Sequence, residues 1–573
     1  MQLSHDEYDV VVIGAGAGGM TAAAVAATRG LRPIVIEKTD VVGGTTAISG
    51  GMVWAPSNPM QALVGAQDTP QQAIAYLEAV VGSSEGADLR RHYLAALPKA
   101  INYLEQHTHV RLTPVPFYPD YYPDIPGATL RGRVLEPVPF DAQELGDWFP
   151  LLRSPLPEFM LFGGMMVARP DIVHFRNAFR SMRSMMRVLR LLSSYGAERM
   201  CFHRGTNLVL GNALAARLLK SLLDLKVPIR LGTAVARLLL EDGRVAGVEA
   251  RTKSGETRLI KASDGVILAT GGFSHNKRLR ALLLPSEAGS ASAAAEGNTG
   301  DGLELGRSAG AIVVDSNLNN AFWTPISQLV RRNGQRGVYP HTVSDRGKPG
   351  MLAVNKAGQR FTNEADSYHE FVQAMFRAHN REPAIPAYLL CDRRALWKYG
   401  LGAIQPMTLR LGSYRRSRYL YEAPSIRALA GMLGVDADNL EATIATYNRD
   451  AMTGVDTTFG RGSNAYHKYV GDPANLPNPC MHSVKAPPFY AVALYPADLG
   501  TAAGLRTSQV CEVLNDKEQP IPGLFACGND MNSIMCGSYP GPGITLGPAL
   551  VFGFLAAMFI ADRRKGKVQA MDC

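Results

Sequence analysis

Val10-Val-Val-Ile13, then Gly14-Ala-Gly16-Ala-Gly-Gly19, then Ile34-Val-Ile36 closed by Glu37, is the stretch that decides the fold. A short apolar run, three glycines in a G-x-G-x-x-G array, and a second apolar run ending in an acid predict a βαβ unit that binds a dinucleotide. Each residue type has a steric or electrostatic task. Gly14 allows the tight strand-to-helix turn, Gly16 lets the backbone approach a pyrophosphate, and Gly19 lets helix pack on strand. The helix N-terminus then faces the phosphates. Glu37, about twenty residues on, is placed to accept hydrogen bonds from an adenosine ribose and argues against a 2′-phosphate there.

Working outward, the 573 residues are too many for one small core and imply several structural units. Hydrophobic residues at 46% and charged residues at 19% describe an ordinary globular chain, without low-complexity or repeat segments. The polar start, Met1 to Glu7, runs directly into the first strand, so neither a secretory nor a transit peptide is expected and the protein is expected to be cytoplasmic. Seven cysteines (Cys201, Cys391, Cys480, Cys511, Cys527, Cys536 and Cys573) form no CxxC pair, which fits reduced thiols and no metal site. The HExxH motif is absent too.

The nucleotide unit draws on distant segments. A β-rich stretch from Ala234 to Val248, including Val235, leads to Gly265-Val-Ile-Leu-Ala269-Thr270-Gly271-Gly272, an apolar strand delivering glycines toward the nucleotide. Gly523-Leu-Phe-Ala-Cys-Gly528-Asn529-Asp530 repeats that pattern near the C-terminus. The expected fold is therefore α/β: a Rossmann-like domain assembled from residues 1–284 and 481–573, with an α+β substrate domain inserted at 285–480. No second GxGxxG follows a strand, so a bound nicotinamide nucleotide is not expected beside the first dinucleotide, and electrons are expected to leave to an external acceptor of quinone or dye type.

These motifs, with Gly43-Gly44-Thr45-Thr-Ala-Ile-Ser49-Gly50-Gly51-Met-Val-Trp-Ala-Pro56, Gly358-Gln-Arg-Phe-Thr-Asn-Glu364 and Gly537-Ser-Tyr539-Pro-Gly-Pro-Gly543-Ile-Thr545-Leu546-Gly-Pro-Ala549, span almost the whole chain. The sequence resembles the fumarate reductase/succinate dehydrogenase flavoprotein superfamily and, within it, the 3-ketosteroid Δ1-dehydrogenases. The resemblance implies FAD, held noncovalently because no histidine stands next to Gly43-Gly44-Thr45. It implies 1,2-desaturation of a 3-ketosteroid, with a proton leaving C2 and hydride passing from C1 to flavin N5; acceptance of sterol-derived ketones with a C17 side chain is left to the shape of the cavity.

That chemistry needs a polarised carbonyl and a base for the α-proton. In Tyr539-Pro-Gly-Pro-Gly543 the prolines fix the backbone between a phenol and a free N–H, so that both donors can converge on one oxygen. The following helix has proline in its first turn, and its positive end favours negative charge on a reduced flavin. The apolar run Ile544 to Ala561 is read as a buried core helix rather than a membrane span. The resemblance carries Tyr368 onto the base. A phenol of ordinary pKa ~10 then needs a lowered pKa or a phenol neighbour that shares its proton. Tyr121 is the first candidate for that neighbour, and Tyr122 the second.

Between Phe175 and Leu192, Arg176, Arg180, Arg183, Arg187 and Arg190 follow a 4-3-4-3 spacing, with Phe175, Phe179, Met182, Met186 and Leu189 one residue earlier. One continuous amphipathic helix is expected, either a solvated basic face over a packed one or a cationic helix lying on an anionic membrane surface. A net charge of +9 agrees with the latter. The helical segment 145–200 could equally line or lid a substrate entrance. Nucleic acid is not an expected partner, since no zinc-finger, RNP-like or helix-turn-helix pattern accompanies the charge. The rival functions are 4,5-desaturation of a 5α-3-ketosteroid, a soluble fumarate reductase, for which histidine and arginine clusters near Tyr539 are missing, and a non-catalytic sterol-binding flavoprotein.

Overall fold

The computed structural model describes residues 5–566, apart from positions 83, 179, 180 and 332. Its centre is a parallel sheet in which Pro520–Ala526, Thr257–Leu268, His5–Ile13, Pro33–Ile36 and Ile229–Arg230 lie side by side. First and last thirds of the chain therefore share one sheet. Val10, Val11 and Val12 are fully buried, as expected of a strand covered on both faces. Helix Ala17–Thr28 covers one face and packs lengthwise on the C-terminal helix Leu546–Arg564. A Cβ on Gly553 would stand 2.6 Å from Gly18 O, so the two helices meet at backbone distance. The apolar helix long enough to cross a membrane is thus a core element here, mostly buried against Ala17–Thr28 and Ala87–His107.

A second, antiparallel sheet carries the strands Arg336–Pro340, Ala321–Val330, Phe489–Thr501, Ala387–Asp392 and Met351–Val354 in that order. Helix Tyr368–His379 packs on Ala321–Val330. This arrangement corrects the boundary read at 480/481. Phe489–Thr501 is the middle strand of the inserted sheet and not part of the nucleotide unit. Its apolar run announced a buried strand, but the choice of sheet rests on pairing with strands far away in the chain, Ala321–Val330 and Ala387–Asp392.

The basic segment also differs from expectation. It forms two helices, Arg169–Arg176 and Met182–Cys201, separated by an extended Ser181 whose side chain caps the second helix at Ser184 N. Phe179 and Arg180 lie outside the described residues. In the second helix Ser184 and Val188 face inward, whereas Met182, Met186 and Leu189 are 67%, 64% and 57% exposed. Of the two readings of the apolar stripe, packed or lying on a surface, its part at Met182, Met186 and Leu189 is not packed: these side chains stand in the open beside the arginines.

Candidate active site

Two cavities meet at the C-terminal edge of the parallel sheet and share Gly44, Thr270 and Asn298 in their walls. The smaller is lined by Gly14, Glu37, Lys38, Thr39, Arg153 and Val235. Gly14 has φ +109°, and a Cβ there would lie 2.2 Å from Ala269 O, so only glycine fits the turn. Gly16 caps helix Ala17–Thr28 with no side chain of its own and a Cβ on it would meet nothing within 4 Å, so the helix N-terminus, where Thr46 Oγ1 accepts from Ala17 N at 3.1 Å, can be approached from the cavity. A Cβ on Gly19 would strike Gly14 O at 2.0 Å, matching its packing role. Glu37 accepts from Ala15 N (3.0 Å), Thr39 N (2.9 Å) and Thr39 Oγ1 (2.8 Å), which fixes the carboxylate at the cavity wall. A bare backbone cradle, an open helix end and a fixed acid fit the ADP half of FAD.

The larger cavity is walled by Gly16, Gly44, Thr45, Ser49, Gly50, Gly51, Ala269, Thr270 and Gly271 on one side. Gly528, Asn529, Thr545 and Leu546 complete that wall. Thr45 Oγ1 accepts from Ala295 N and Asn298 Nδ2, both at 3.0 Å, and so ties the nucleotide unit to the inserted one. Ser49 Oγ accepts from Gly51 N at 3.1 Å and holds the glycine turn. Two residues read as cofactor contacts stand elsewhere. Gly43 lies behind the wall, bonded through its N to Ala15 O. The fully buried Asp530 accepts from Thr270 N, Thr270 Oγ1 and Gly272 N, bracing the turn rather than facing the cavity. Burial pushes its carboxyl up to about 6 despite those donors.

The same cavity also has a phenolic part of its lining: Tyr118, Tyr121, Tyr368 and Tyr539, together with Gly543. Tyr121 O–H donates to Tyr368 Oη at 3.1 Å, and the Tyr539 ring lies against Tyr368. The Tyr368 ring meets Tyr539 edge to face at 5.1 Å, and Tyr121 stacks on Tyr539 at 5.6 Å. Tyr122 does not share in this; its hydroxyl donates to Glu370 Oε1 at 2.6 Å. The choice between Tyr121 and Tyr122 therefore falls to Tyr121. Gly543, at φ +92°, accepts through its O from Trp54 N and Gly547 N, while its own N–H has no acceptor among the described residues.

Burial pushes all three phenols up. Tyr121 and Tyr368 lie well above the usual tyrosine value, though the Tyr121 hydrogen bond pulls Tyr368 back down, and Tyr539 reaches about 12. Tyr539 is thus a neutral donor across the physiological range. Burial likewise favours the neutral form of Tyr368.

The support beneath this wall has no motif. Tyr76 O–H donates to Pro540 O at 2.6 Å, and Tyr121 N donates to the same oxygen at 3.0 Å. Trp54 Nε1 donates to Asp120 Oδ1 at 2.9 Å, and Asp120 pairs with the buried Arg133, which also holds Asp68. Arg133 lies over the rings of both Trp54 and Tyr76. Trp54 lies within the quoted run Gly43 to Pro56, but Asp68, Tyr76, Asp120 and Arg133, with Arg153 and Asn298, are invisible to sequence reading because their spacing to the motifs carries no period. Segment 145–200 contributes Pro155, Leu156, Phe159, Met166 and Arg169 to the lining of the same cavity.

A family model described as FAD binding domain matches residues 9–546. The chain is 38% identical over 572 residues to 3-oxosteroid 1-dehydrogenase of Mycolicibacterium smegmatis, covering 98% of both chains. It is 35% identical to 4-oxocyclohex-2-ene-1-carboxylate 5-dehydrogenase of Sinomonas cyclohexanicum, over 96% of this chain and 93% of the other. Among solved structures, the 3-ketosteroid Δ1-dehydrogenase of Sterolibacterium denitrificans in complex with 1,4-androstadiene-3,17-dione superposes with a TM-score of 0.91 at 35% identity, covering 97% of this chain and 100% of that one.

Proposed function

We propose, from the premise that this chain belongs to the FAD-binding flavoprotein family containing the 3-oxosteroid 1-dehydrogenases, that it introduces a C1–C2 double bond into a 3-ketosteroid. The observation that carries this reading is convergence. Tyr121, Tyr368, Tyr539 and Gly543, drawn from three distant stretches, line the same cavity as the glycine cradle. Bound FAD supplies the two-electron acceptor chemistry that such a desaturation requires. The cradle that would hold it consists of Gly14, Gly16, Glu37, Gly44, Thr45, Ser49, Gly50, Gly51 and Thr270, without covalent attachment.

The protein groups account for the remaining demands. Tyr539 O–H and Gly543 N–H grip the C3 oxygen and stabilise the negative charge that grows there, which acidifies the neighbouring C2–H. Tyr368 Oη receives that proton. The hydrogen bond from Tyr121 favours the proton-accepting form of Tyr368, and the chain of hydroxyls lets the proton move on. Apolar walls keep water from competing for either donor.

Anaerobic mixing with a saturated 5α-3-ketosteroid tests the reading. Bleaching of the flavin with a 1,2-unsaturated product is expected. A 4,5-unsaturated product would replace this reading with the alternative regiochemistry, and oxidation of a reduced dye by fumarate would point to the reductase.

For partners we further propose an external quinone-like electron acceptor and peripheral docking on the anionic inner face of a membrane. Exposed Met182, Met186, Leu189, Ile172, Val173 and Phe162 stand near Arg183 and Arg190, and the adjoining chain lines the substrate cavity through Leu156, Phe159 and Met166. Docking there would let an insoluble ketone pass from lipid to cavity. Sedimentation with anionic but not zwitterionic vesicles, abolished in Met182→Ser/Met186→Ser and by high salt, is expected; equal behaviour of the variant would overturn it, and concentration-dependent self-association would assign the face to a second copy.

A further inference from the structure

Arg153 lies outside every nucleotide motif and yet stands in the wall of the smaller cavity, beside Glu37, Lys38 and Thr39. Its backbone is pinned twice. Arg153 N donates to Val42 O at 3.0 Å, and Asn212 Nδ2 donates to Arg153 O at 2.7 Å, so the side chain is delivered from a fixed position. The guanidinium is poorly satisfied. Its Nε is buried without a hydrogen-bond partner, Nη2 reaches only Thr39 Oγ1 at 3.5 Å, and it makes no ion pair among the described residues. Lys38, the other cation at this end, is by contrast tied to Asp301 at 2.7 Å and to Thr299. A desolvated guanidinium short of an anion is costly unless a ligand supplies one. Burial lowers its pKa, and only the fields of Glu37 and Glu296 act in the other direction.

We propose that Arg153 is a cofactor-binding residue that closes on the ADP half of the dinucleotide. The residues that follow, Pro155 and Leu156, line the larger cavity, so the strap starting at Arg153 joins the nucleotide end of the site to the wall that faces substrate. The proposal rests on the reading of this site as an FAD site. A guanidinium offers five fixed donors and a flat face, suited to phosphate oxygens or to stacking on the base.

The test is FAD release from holoenzyme on dilution, followed by the recovery of flavin fluorescence, with free ADP added as a competitor. Arg153→Gln is expected to weaken FAD retention about tenfold and ADP competition by a similar factor, while the flavin absorption spectrum and the unfolding midpoint at saturating FAD stay unchanged. Arg153→Lys is expected to recover part of the loss in low salt and lose it again in high salt, whereas a base-stacking role would leave the Lys variant as weak as Gln at every salt concentration. FAD retention within twofold of the parent in both variants would overturn the proposal, as would a loss of FAD with ADP competition unaltered. Absence of flavin from the parent protein would instead sink the FAD reading itself.

Discussion

Two buried clusters of the molecule differ in a way that inverts what residue identity suggests. One has the makings of a charge relay: Asp345 Oδ2 to His341 Nδ1 at 2.6 Å, and His341 Nε2 to Ser327 Oγ at 2.8 Å. The other holds only neutral phenols, Tyr121, Tyr368 and Tyr539. Yet the Ser-His-Asp set is closed. Ser327 is also bonded to Tyr419 Oη, Asp345 accepts from Gly402 N and Arg346 N, and none of the three reaches a cavity wall. Burial raises Asp345, but His341, Arg346 and the Gly402 N–H outweigh it and hold the carboxyl down at about 2. The phenol cluster, by contrast, faces a cavity and presents an unclaimed N–H at Gly543. Chemistry follows open donors at a cavity, and a fully satisfied relay is scaffolding.

The contrast can be broken most sharply at Tyr368. Tyr368→Phe should cut turnover about a thousandfold while flavin content and unfolding midpoint hold; normal turnover would remove the base from the account. Tyr539→Phe should cost about a hundredfold in kcat, seen by steady-state kinetics on a 3-ketosteroid with the hydride-acceptor spectrum intact. On the other side, His341→Ala should lower stability by ~2 kcal/mol in denaturant melts, by leaving Ser327 and Asp345 short of a partner, yet leave kcat per folded molecule nearly unchanged.

The two clusters should also separate along the pH axis. Asp345 is depressed to about 2, so its stabilisation is present above the unfolded carboxylate value of ~3.9 and is lost as pH falls from there toward 2. Tyr539 is raised to about 12, so its contribution is present below ~10 and is lost as pH climbs from 10 to 12. Melts across both limbs should show His341→Ala flattening the acid limb and Tyr539→Phe the alkaline one; an exchange of those roles would undo the comparison. The smallest effect is expected at Tyr76. Tyr76→Phe removes the bond to Pro540 O, about 1 kcal/mol, and should lower kcat a few-fold without altering the affinity for FAD.

The legible parts of the site were those carried by local rules. Gly14, Gly16 and Glu37 announce themselves because a turn, a close backbone approach and a strand end impose fixed spacing. Tyr539 and Gly543 were legible through the proline-fixed run between them. Tyr76, Arg133, Asn298 and Arg153 were not, since each acts through a contact with residues that only folding brings near. Asp530 shows the converse: its place in a glycine motif suggested a cofactor contact, while its lone pairs are taken by Thr270 and Gly272. The methionines of Met182–Cys201 had helical spacing, but spacing alone does not say which side of a helix is covered.

By itself the sequence determined a dinucleotide-binding α/β unit returning at both ends of the chain, because glycine sterics and the burial of two-sided strands act over a few residues and leave a local signature. Tertiary structure alone decided that Phe489–Thr501 joins the inserted sheet, that Tyr121 and not Tyr122 meets Tyr368, and that Arg153 enters the nucleotide cavity. Those outcomes depend on which distant surfaces exclude water from one another, and that choice belongs to the packed molecule rather than to any stretch of it.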